Sequence, residues 1–346
     1  MKRKRRYKIY FEEKNSNVTY IVFIIIILFV LFLTPYLSPK KGVNSNKSPN
    51  ESIANNEITI IDTKITSSFN YELLSNNLNL NAESAILYDN TSNKILFKKN
   101  PKSKVNPASM TKIVSAYIAV NSVPLETIFS VGEEISFVKP ESSLAFLNQN
   151  SSISLQDLLY ALLLPSGNDA AYTLALNTAR YITKNNNLST TESINYFTKL
   201  MNDFAYSCEA MDTSFSNPDG FDDNYTTAED YIKMTKCILS NSTIKTICSS
   251  TEKEVTISSG QGYYWINNNN LINKSSSFFY PYATGLKTGY TENAGYCMVA
   301  TAQANGKEYI AVIFNSKSAE DRYNDAVNLF SLVIPPMEIS TESTQN

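Results

Sequence analysis

The feature that most constrains the folding of this chain is its longest apolar run, which lies near the N-terminus. No charged residue occurs between Asn15 and Pro39, and residues 20–33 are almost entirely Ile, Leu, Phe and Val. As a helix, residues 18–37 would cross about 30 Å of hydrocarbon. The run is preceded by a cluster of basic residues, Lys2, Arg3, Lys4, Arg5, Arg6 and Lys8. The positive-inside rule therefore places the N-terminus in the cytoplasm.

This pattern predicts a single-pass signal-anchor at residues 18–37 that follows a short basic tail at residues 1–17. The rest of the chain is then extracytoplasmic, and the lipid bilayer is a partner. A cleaved signal peptide and a buried core helix are the two alternatives. Cleavage is disfavoured because residues 34–39 offer a poor version of the small-residue cleavage pattern.

Composition divides the remainder into a linker, a folded domain and a tail. Residues 38–79 are rich in Asn, Ser, Lys and Pro, which is typical of an extracytoplasmic linker. Residues 80–335 have the apolar content of a folded domain, and residues 336–346 form a polar tail. The chain is 43% hydrophobic and 18% charged, enough for a sizeable core. Its net charge of −2 gives no reason to expect a nucleic-acid partner.

Periodicity predicts an α+β domain with strands at both ends and helices between them. Two strand-like runs at residues 83–89 and 94–99 form one hairpin, and Asn305-Gly306 joins the runs 295–303 and 308–315 into another. The first predicted helix begins at Ser109, and the next two span residues 155–164 and 170–182. A fourth follows a polar loop and runs through Met201, and a fifth at residues 319–333 closes the domain. Ser154 is expected to cap the second helix, and Asn168 or Asp169 the third. Helices packed on an antiparallel sheet are the expected architecture.

The chain contains no histidine, which closes the usual route to an activated serine. A lysine one helical turn from a serine is the main remaining route. Ser109 and Lys112 have this spacing at the start of an apolar helical pattern, where the helix N-terminus stabilises negative charge. The same spacing recurs at Ser38/Lys41, Ser242/Lys245 and Ser250/Lys253. On this motif alone, a capping serine beside a solvated lysine is the stronger interpretation.

Two further motifs change that balance. Ser166-Gly167-Asn168 follows the helix-stopping Pro165, and by itself it is typical of a turn. Lys287-Thr288-Gly289 occurs once, just before the terminal hairpin, where its glycine would let a ligand approach the strand backbone closely. By itself this motif also fits an exposed strand end.

In their order and wide spacing, the three motifs resemble those of the serine penicillin-binding proteins and β-lactamases. Their flanking residues look like the low-molecular-mass D-alanyl-D-alanine carboxypeptidases, and so does Asn217-Pro218-Asp219-Gly220. The resemblance covers about residues 80–333. It implies a single catalytic domain with the transpeptidase fold of that class. It also implies removal of the terminal D-alanine from peptidoglycan stem peptides at the bacterial cell membrane, and covalent binding of β-lactam antibiotics.

Carried onto this sequence, the resemblance assigns a catalytic role to three residues. Ser109 would be the nucleophile, Lys112 the base, and Ser166 the relay of a proton to the leaving amine. Burial and repulsion from Lys287 would lower the pKa of Lys112 towards neutrality. Neither a metal nor a cofactor is implied.

The resemblance also assigns the binding residues. Asn168 would hold Lys112 and the substrate amide, while Lys287 and Thr288 would receive the terminal carboxylate. The complete substrate-binding set is Asn168, Lys287, Thr288 and Gly289. The backbone N–H groups of Ser109 and Tyr290 would form the oxyanion hole.

Three rival functions can be weighed from the sequence. A class A β-lactamase needs a glutamate followed four residues later by an asparagine, and neither Glu192 nor Glu209 has that partner. A DD-transpeptidase or endopeptidase shares the acylation step and stays open. A non-catalytic penicillin-binding scaffold leaves three intact motifs unexplained. The chain ends soon after its closing helix, so the second β-rich domain and C-terminal anchor of many such enzymes are expected to be absent.

The four cysteines, Cys208, Cys237, Cys248 and Cys297, include no C-x-x-C pair, which excludes a zinc ribbon or a thioredoxin motif. Outside the membrane, a bridge between Cys237 and Cys248 is one interpretation. Small buried hydrophobic side chains are the favoured one.

Overall fold

The computed structural model describes residues 70–74 and 78–335. In chain order the strands are β1 Asn70–Tyr71, β2 Ser84–Asp89, β3 Lys94–Lys99, β4 Ile128–Ser130, β5 Ser152–Ser154, β6 Glu252–Thr256, β7 Gly262–Ile266, β8 Ala283–Thr291, β9 Gly295–Ala304 and β10 Lys307–Ser316. Six of them form the central sheet, in the order β1-β3-β2-β10-β9-β8. All its neighbours are antiparallel except β1 and β3. The strands β4–β5 and β6–β7 form two small separate sheets.

Helices cover both faces of the central sheet. They are α1 Thr111–Ser122, α2 Leu155–Leu163, α3 Asn168–Thr183, α4 Thr190–Ser207, α5 Ala228–Ile238, α6 Ser242–Ser249 and α7 Ala319–Ser331, with short 3-10 helices at Ala108–Met110 and Glu133–Phe137. Side chains alternate along each strand. Ile86 therefore joins the core formed with α1 to α6, whereas Leu87 joins the core formed with α7. This confirms the predicted α+β class with an antiparallel sheet.

Both predicted hairpins are present in the sheet. Strands β2 and β3 pair with each other, and β9 and β10 pair across Asn305-Gly306. Asn305 and Gly306 both have positive φ, 52° and 73°. The type I′ two-residue hairpin turn requires positive φ at both central residues, which is why Asn-Gly predicts the turn so well.

The helix starts differ in detail from the predicted ones. Ser109 lies in a 3-10 turn, and the α-helix begins only at Thr111. Ser154 caps α2 as predicted, with its hydroxyl accepting from the Asp157 N–H. The predicted cap of α3 is wrong, because Gly167 is the N-cap and makes no side-chain bond. Asp169 instead accepts bonds from two backbone N–H groups of the preceding loop, those of Ala145 and Leu147.

The sheet also begins earlier than the composition suggests. β1 pairs with β3, and the Glu72 and Leu74 N–H groups donate to carbonyls of that strand. A polar segment can join a sheet edge because the pairing uses backbone groups alone. Residues 70–74 therefore belong to the sheet rather than to the predicted linker.

The predicted membrane span at residues 18–37 lies outside the described residues. Within the ranges 70–74 and 78–335, no helix combines the length and the apolarity that crossing a bilayer requires.

Candidate active site

Ser109 and Lys112 are joined by a direct hydrogen bond at the start of α1. The Lys112 Nζ donates to Ser109 Oγ at 2.8 Å and to the backbone carbonyl of Asp219 at 2.7 Å. Lys112 is completely buried, whereas Ser109 is half-buried. The simpler interpretation, a capping serine beside a solvated lysine, is therefore wrong. Ser109 makes no cap bond, and its lysine neighbour is in the core.

Burial makes Lys112 a weaker base than an ordinary lysine. It lowers the pKa of Lys112 to about 8, although the carboxylates of Asp219 and Asp169 oppose that shift. The expected repulsion from Lys287 is not among the causes. The repulsion between the two ammonium groups is instead seen in the pKa of Lys287. Burial and repulsion from Lys112 lower the pKa of Lys287 well below its usual value. A lysine with a pKa near 8 is suited to accept a proton at neutral pH.

Ser166 lies in the turn between α2 and α3, Asn168 is the first residue of α3, and both have polar side-chain atoms without a hydrogen-bond partner among the described residues. Ser166 has a φ of 68°, and its hydroxyl is buried without a hydrogen-bond partner among the described residues. The Asn168 side-chain oxygen is likewise buried and unpartnered in that part of the chain. Buried polar groups without partners are rare in folded proteins, so these two atoms are available to a ligand.

Asn168 does not bond to Lys112 as the sequence predicted. Its side-chain nitrogen donates to the carboxylate of Asp219 at 2.7 Å. Asp219 thus bridges the two, because its backbone carbonyl accepts from Lys112. Burial raises the pKa of the Asp219 carboxyl, and the nearby Lys112 opposes that shift. Asp219 lies in Asn217-Pro218-Asp219-Gly220, a segment that resembles the family but to which no role was assigned from the sequence.

The strand β8 carries the third motif along an open edge of the sheet. Among the described strands only β9 pairs with it, and its other edge faces the 3-10 turn that holds Ser109. A Cβ placed on Gly289 would lie 3.0 Å from both the Ala108 Cβ and the Ser109 nitrogen. Glycine is therefore needed here to let the strand approach the serine, rather than only to admit a ligand.

A cavity of about 730 Å³ brings most of the predicted residues together. Those that line it are Ser109, Ser166, Asn168, Thr288, Gly289 and Tyr290. Lys112 and Lys287 are buried behind this wall and do not line it. The Lys287 Nζ donates to the Thr288 carbonyl at 2.9 Å.

Arg322 is a site residue that no sequence motif indicated. It extends from α7 into the same cavity, and one guanidinium nitrogen donates to the Gly289 carbonyl at 3.2 Å. Its Nε is buried and has no partner among the described residues. Arg322 also contributes to the lowered pKa of Lys287. The side chains of Arg322 and Lys287 thus bring positive charge to one wall of the cavity, and an incoming anion would relieve the repulsion between them.

Comparison with known proteins gives consistent results. The model of the D-alanyl-D-alanine carboxypeptidase family, peptidase S11, matches residues 72–318. D-alanyl-D-alanine carboxypeptidase DacF of Bacillus subtilis is 28% identical and covers 70% of this chain. The D-alanyl-D-alanine carboxypeptidase of Streptomyces sp. K15 is 30% identical and covers 68%. The alignment spans 59% of the DacF sequence and 81% of the Streptomyces one, so this chain matches under two thirds of DacF.

Solved structures of the same class share the fold. The Streptomyces K15 DD-transpeptidase superposes with a TM-score of 0.68 at 26% identity, covering 75% of this chain and 98% of that one. Penicillin-binding protein D2 from Listeria monocytogenes, in its ampicillin-bound form, gives a TM-score of 0.61 at 25% identity. It covers 75% of this chain and 99% of the other. The penicillin-binding-protein fold expected from the sequence is confirmed.

Proposed function

Because this chain belongs to the D-alanyl-D-alanine carboxypeptidase family, peptidase S11, we propose that it removes the terminal D-alanine from peptidoglycan stem pentapeptides in cell-wall maturation. The observation that carries this proposal is the 2.8 Å hydrogen bond between the buried Lys112 and the Ser109 hydroxyl. It couples a nucleophile to a base whose pKa is about 8. β-Lactam antibiotics would acylate the same serine.

The proposed reaction proceeds through an acyl-enzyme. Neutral Lys112 takes the proton of Ser109 as its Oγ attacks the carbonyl between the two D-alanines. The backbone N–H groups of Ser109 and Tyr290 stabilise the oxyanion, each contributing about 3 kcal/mol. Ser166, whose hydroxyl has no other hydrogen-bond partner in the described part of the chain, relays the proton to the leaving amine. Water then hydrolyses the ester, with Lys112 again as the base.

Substrate binding is proposed to use the positively charged wall of the cavity. The terminal carboxylate is received by Thr288, with Lys287 behind it and Arg322 beside it. The Asn168 side-chain oxygen, which has no partner within the described ranges, accepts from the substrate amide. Gly289 keeps β8 close enough to Ser109 for one peptide to reach both. A bound carboxylate would favour the charged form of Lys287 and so oppose the lowering of its pKa by burial.

Incubation of the full chain with a stem pentapeptide, followed by mass spectrometry, tests the proposed activity. The expected product has lost one alanine. The same peptide with a C-terminal amide is expected to react at least about tenfold more slowly, because a charge-assisted hydrogen bond contributes roughly 1.5–3 kcal/mol. An unchanged pentapeptide would favour the non-catalytic scaffold, and equal rates for acid and amide would contradict the carboxylate site.

A DD-transpeptidase is the second candidate function. The observation in its favour is the fold shared with a protein described as a DD-transpeptidase. The two activities differ only in whether water or an amine accepts the acyl group. In the pentapeptide assay, a cross-linked dimer instead of the tetrapeptide would identify the transpeptidase.

The rate of acylation by penicillin is expected to rise with pH and to level off above about pH 8. Lys112 must be neutral to accept a proton, and burial lowers its pKa to about 8. Below that value the neutral fraction grows roughly tenfold per pH unit, so the rate should do the same. Stopped-flow labelling at a series of pH values measures this. The melting temperature at each pH serves as the control for unfolding, and a rate that falls as pH rises towards 8 would contradict the role of Lys112.

The same proposal includes anchoring of the domain to the bacterial cell membrane by residues 18–37. It rests on the apolar run and the basic residues before it. The full chain is expected to sediment with membranes and to resist extraction at alkaline pH, whereas a chain that lacks residues 1–37 is released. Release of the full chain by the same extraction, or an N-terminus found just after residue 39, would indicate cleavage instead.

A further inference from the structure

Two of the four cysteines are in contact where α4 and α5 pack together. Cys208 is the C-cap of α4, and Cys237 lies in the last turn of α5. Their sulfur atoms are 3.1 Å apart, and the Cys208 thiol donates to the Cys237 sulfur. A disulfide bond is about 2.05 Å long, so the two sulfurs need to approach by only about 1 Å.

We propose that Cys208 and Cys237 form a disulfide bond that joins α4 to α5. The other two cysteines occupy different surroundings. Cys248 contacts β8 beside Gly285, and Cys297 bonds to the backbone of the β8–β9 turn. The pairing of Cys237 with Cys248 considered from the sequence is replaced by one between sulfurs already in contact.

The disulfide would link the two ends of the segment between Cys208 and Cys237, which contacts Lys112. Between the two cysteines lies Asp219, whose carbonyl accepts from Lys112 and whose carboxylate accepts from Asn168. The segment is already tied to α4, because the Asn202 side chain bonds to the Phe215 backbone at 2.8 Å in both directions. A covalent link would add to that tie and would reduce the freedom of the unfolded chain.

The two sulfurs are unequal in a way that suits thiol–disulfide exchange. Cys237 is half-buried and accepts the thiol hydrogen bond, which lowers its pKa, while the same bond and burial raise the pKa of Cys208. The Cys237 thiolate attacks an external disulfide and releases one thiol. The Cys208 sulfur then attacks the mixed disulfide and releases the second. Two protein thiols thus lose two protons and two electrons, and the external disulfide is reduced to two thiols.

This inference rests on the proposed extracytoplasmic position, where disulfides persist, but not on the proposed reaction. The test equilibrates the full chain in detergent with glutathione disulfide, alkylates the remaining thiols and maps the peptides by mass spectrometry. The expected result is a Cys208–Cys237 linked peptide that is two hydrogens lighter than the reduced pair, with Cys248 and Cys297 alkylated. Relative to the reduced protein, the melting temperature should rise by about 5–10 °C.

Cys248→Ser is the matched control, because it removes a buried cysteine outside the pair. It should keep both the linked peptide and the rise in melting temperature, whereas Cys208→Ser and Cys237→Ser should lose both. Recovery of Cys208 and Cys237 as alkylated thiols from the oxidised sample, or a link from Cys237 to Cys248, overturns the proposal. Penicillin labelling of the same samples reports separately on the proposed function.

Discussion

Replacing Ser109 with alanine is expected to abolish covalent labelling by penicillin and to reduce D-alanine release by roughly 10⁶-fold. The substitution removes the only atom that would form the acyl bond. Lys112 keeps its bond to the Asp219 carbonyl, so the fold is expected to lose no more than about 1 kcal/mol. Fluorescent penicillin on a denaturing gel and D-alanine release from a pentapeptide are the two measurements.

Ser242→Ala is the matched control for this variant. Ser242 and Lys245 repeat the S-x-x-K spacing at the start of α6, but Ser242 is exposed and Lys245 pairs with Glu308 at 2.8 Å. This variant should keep full labelling and full activity. If D-alanine release survives in Ser109→Ala, the serine mechanism is wrong. If Ser242→Ala also loses activity, the loss in Ser109→Ala is not specific to Ser109.

Local chemistry explains which features could be predicted from the sequence. The hairpin at Asn305-Gly306 was predictable because its turn type depends on two residues alone. The motifs at Ser109, Ser166 and Lys287 were likewise recognisable, because side-chain identity and order define them. The edge strand β1 was not predictable, because its pairing needs only backbone groups.

The remaining site residues depend on tertiary contacts that no short motif encodes. Asp219 holds Lys112 through a backbone carbonyl, a group that every residue possesses. Arg322 reaches the Gly289 carbonyl from a helix 33 positions further along the chain. The full burial of Lys112 is also a tertiary property. Helical periodicity put that lysine beside the apolar face, whereas in the fold it is completely buried and donates to the Asp219 carbonyl.

Gly220→Ala is expected to destabilise the domain by more than about 3 kcal/mol and to slow acylation by about 100-fold. Gly220 has a φ of +93°, and a Cβ there would lie 1.9 Å from the carbonyl oxygen of Ala108 and 3.0 Å from the Ser109 nitrogen. These neighbours are backbone atoms, so no side-chain rotation relieves the overlap. Either the 3-10 turn with Ser109 or the loop with Asp219 must move, and each movement separates Ser109 from Lys112.

Gly260→Ala separates this clash from the general strain of an alanine at positive φ. Gly260 has a φ of +84°, and a Cβ there would meet no atom of the described residues within 4 Å. It should cost only about 1–2 kcal/mol and leave penicillin acylation unchanged. Urea denaturation and stopped-flow labelling measure both effects. With about 2–4 °C per kcal/mol for a domain of this size, the two variants should also differ clearly in melting temperature. Equal losses of stability in the two variants would show that the close approach of Gly220 to Ala108 does not hold Ser109 beside Lys112. A larger loss of stability in Gly220→Ala, together with slower acylation, would show that this contact supports the acylation rate.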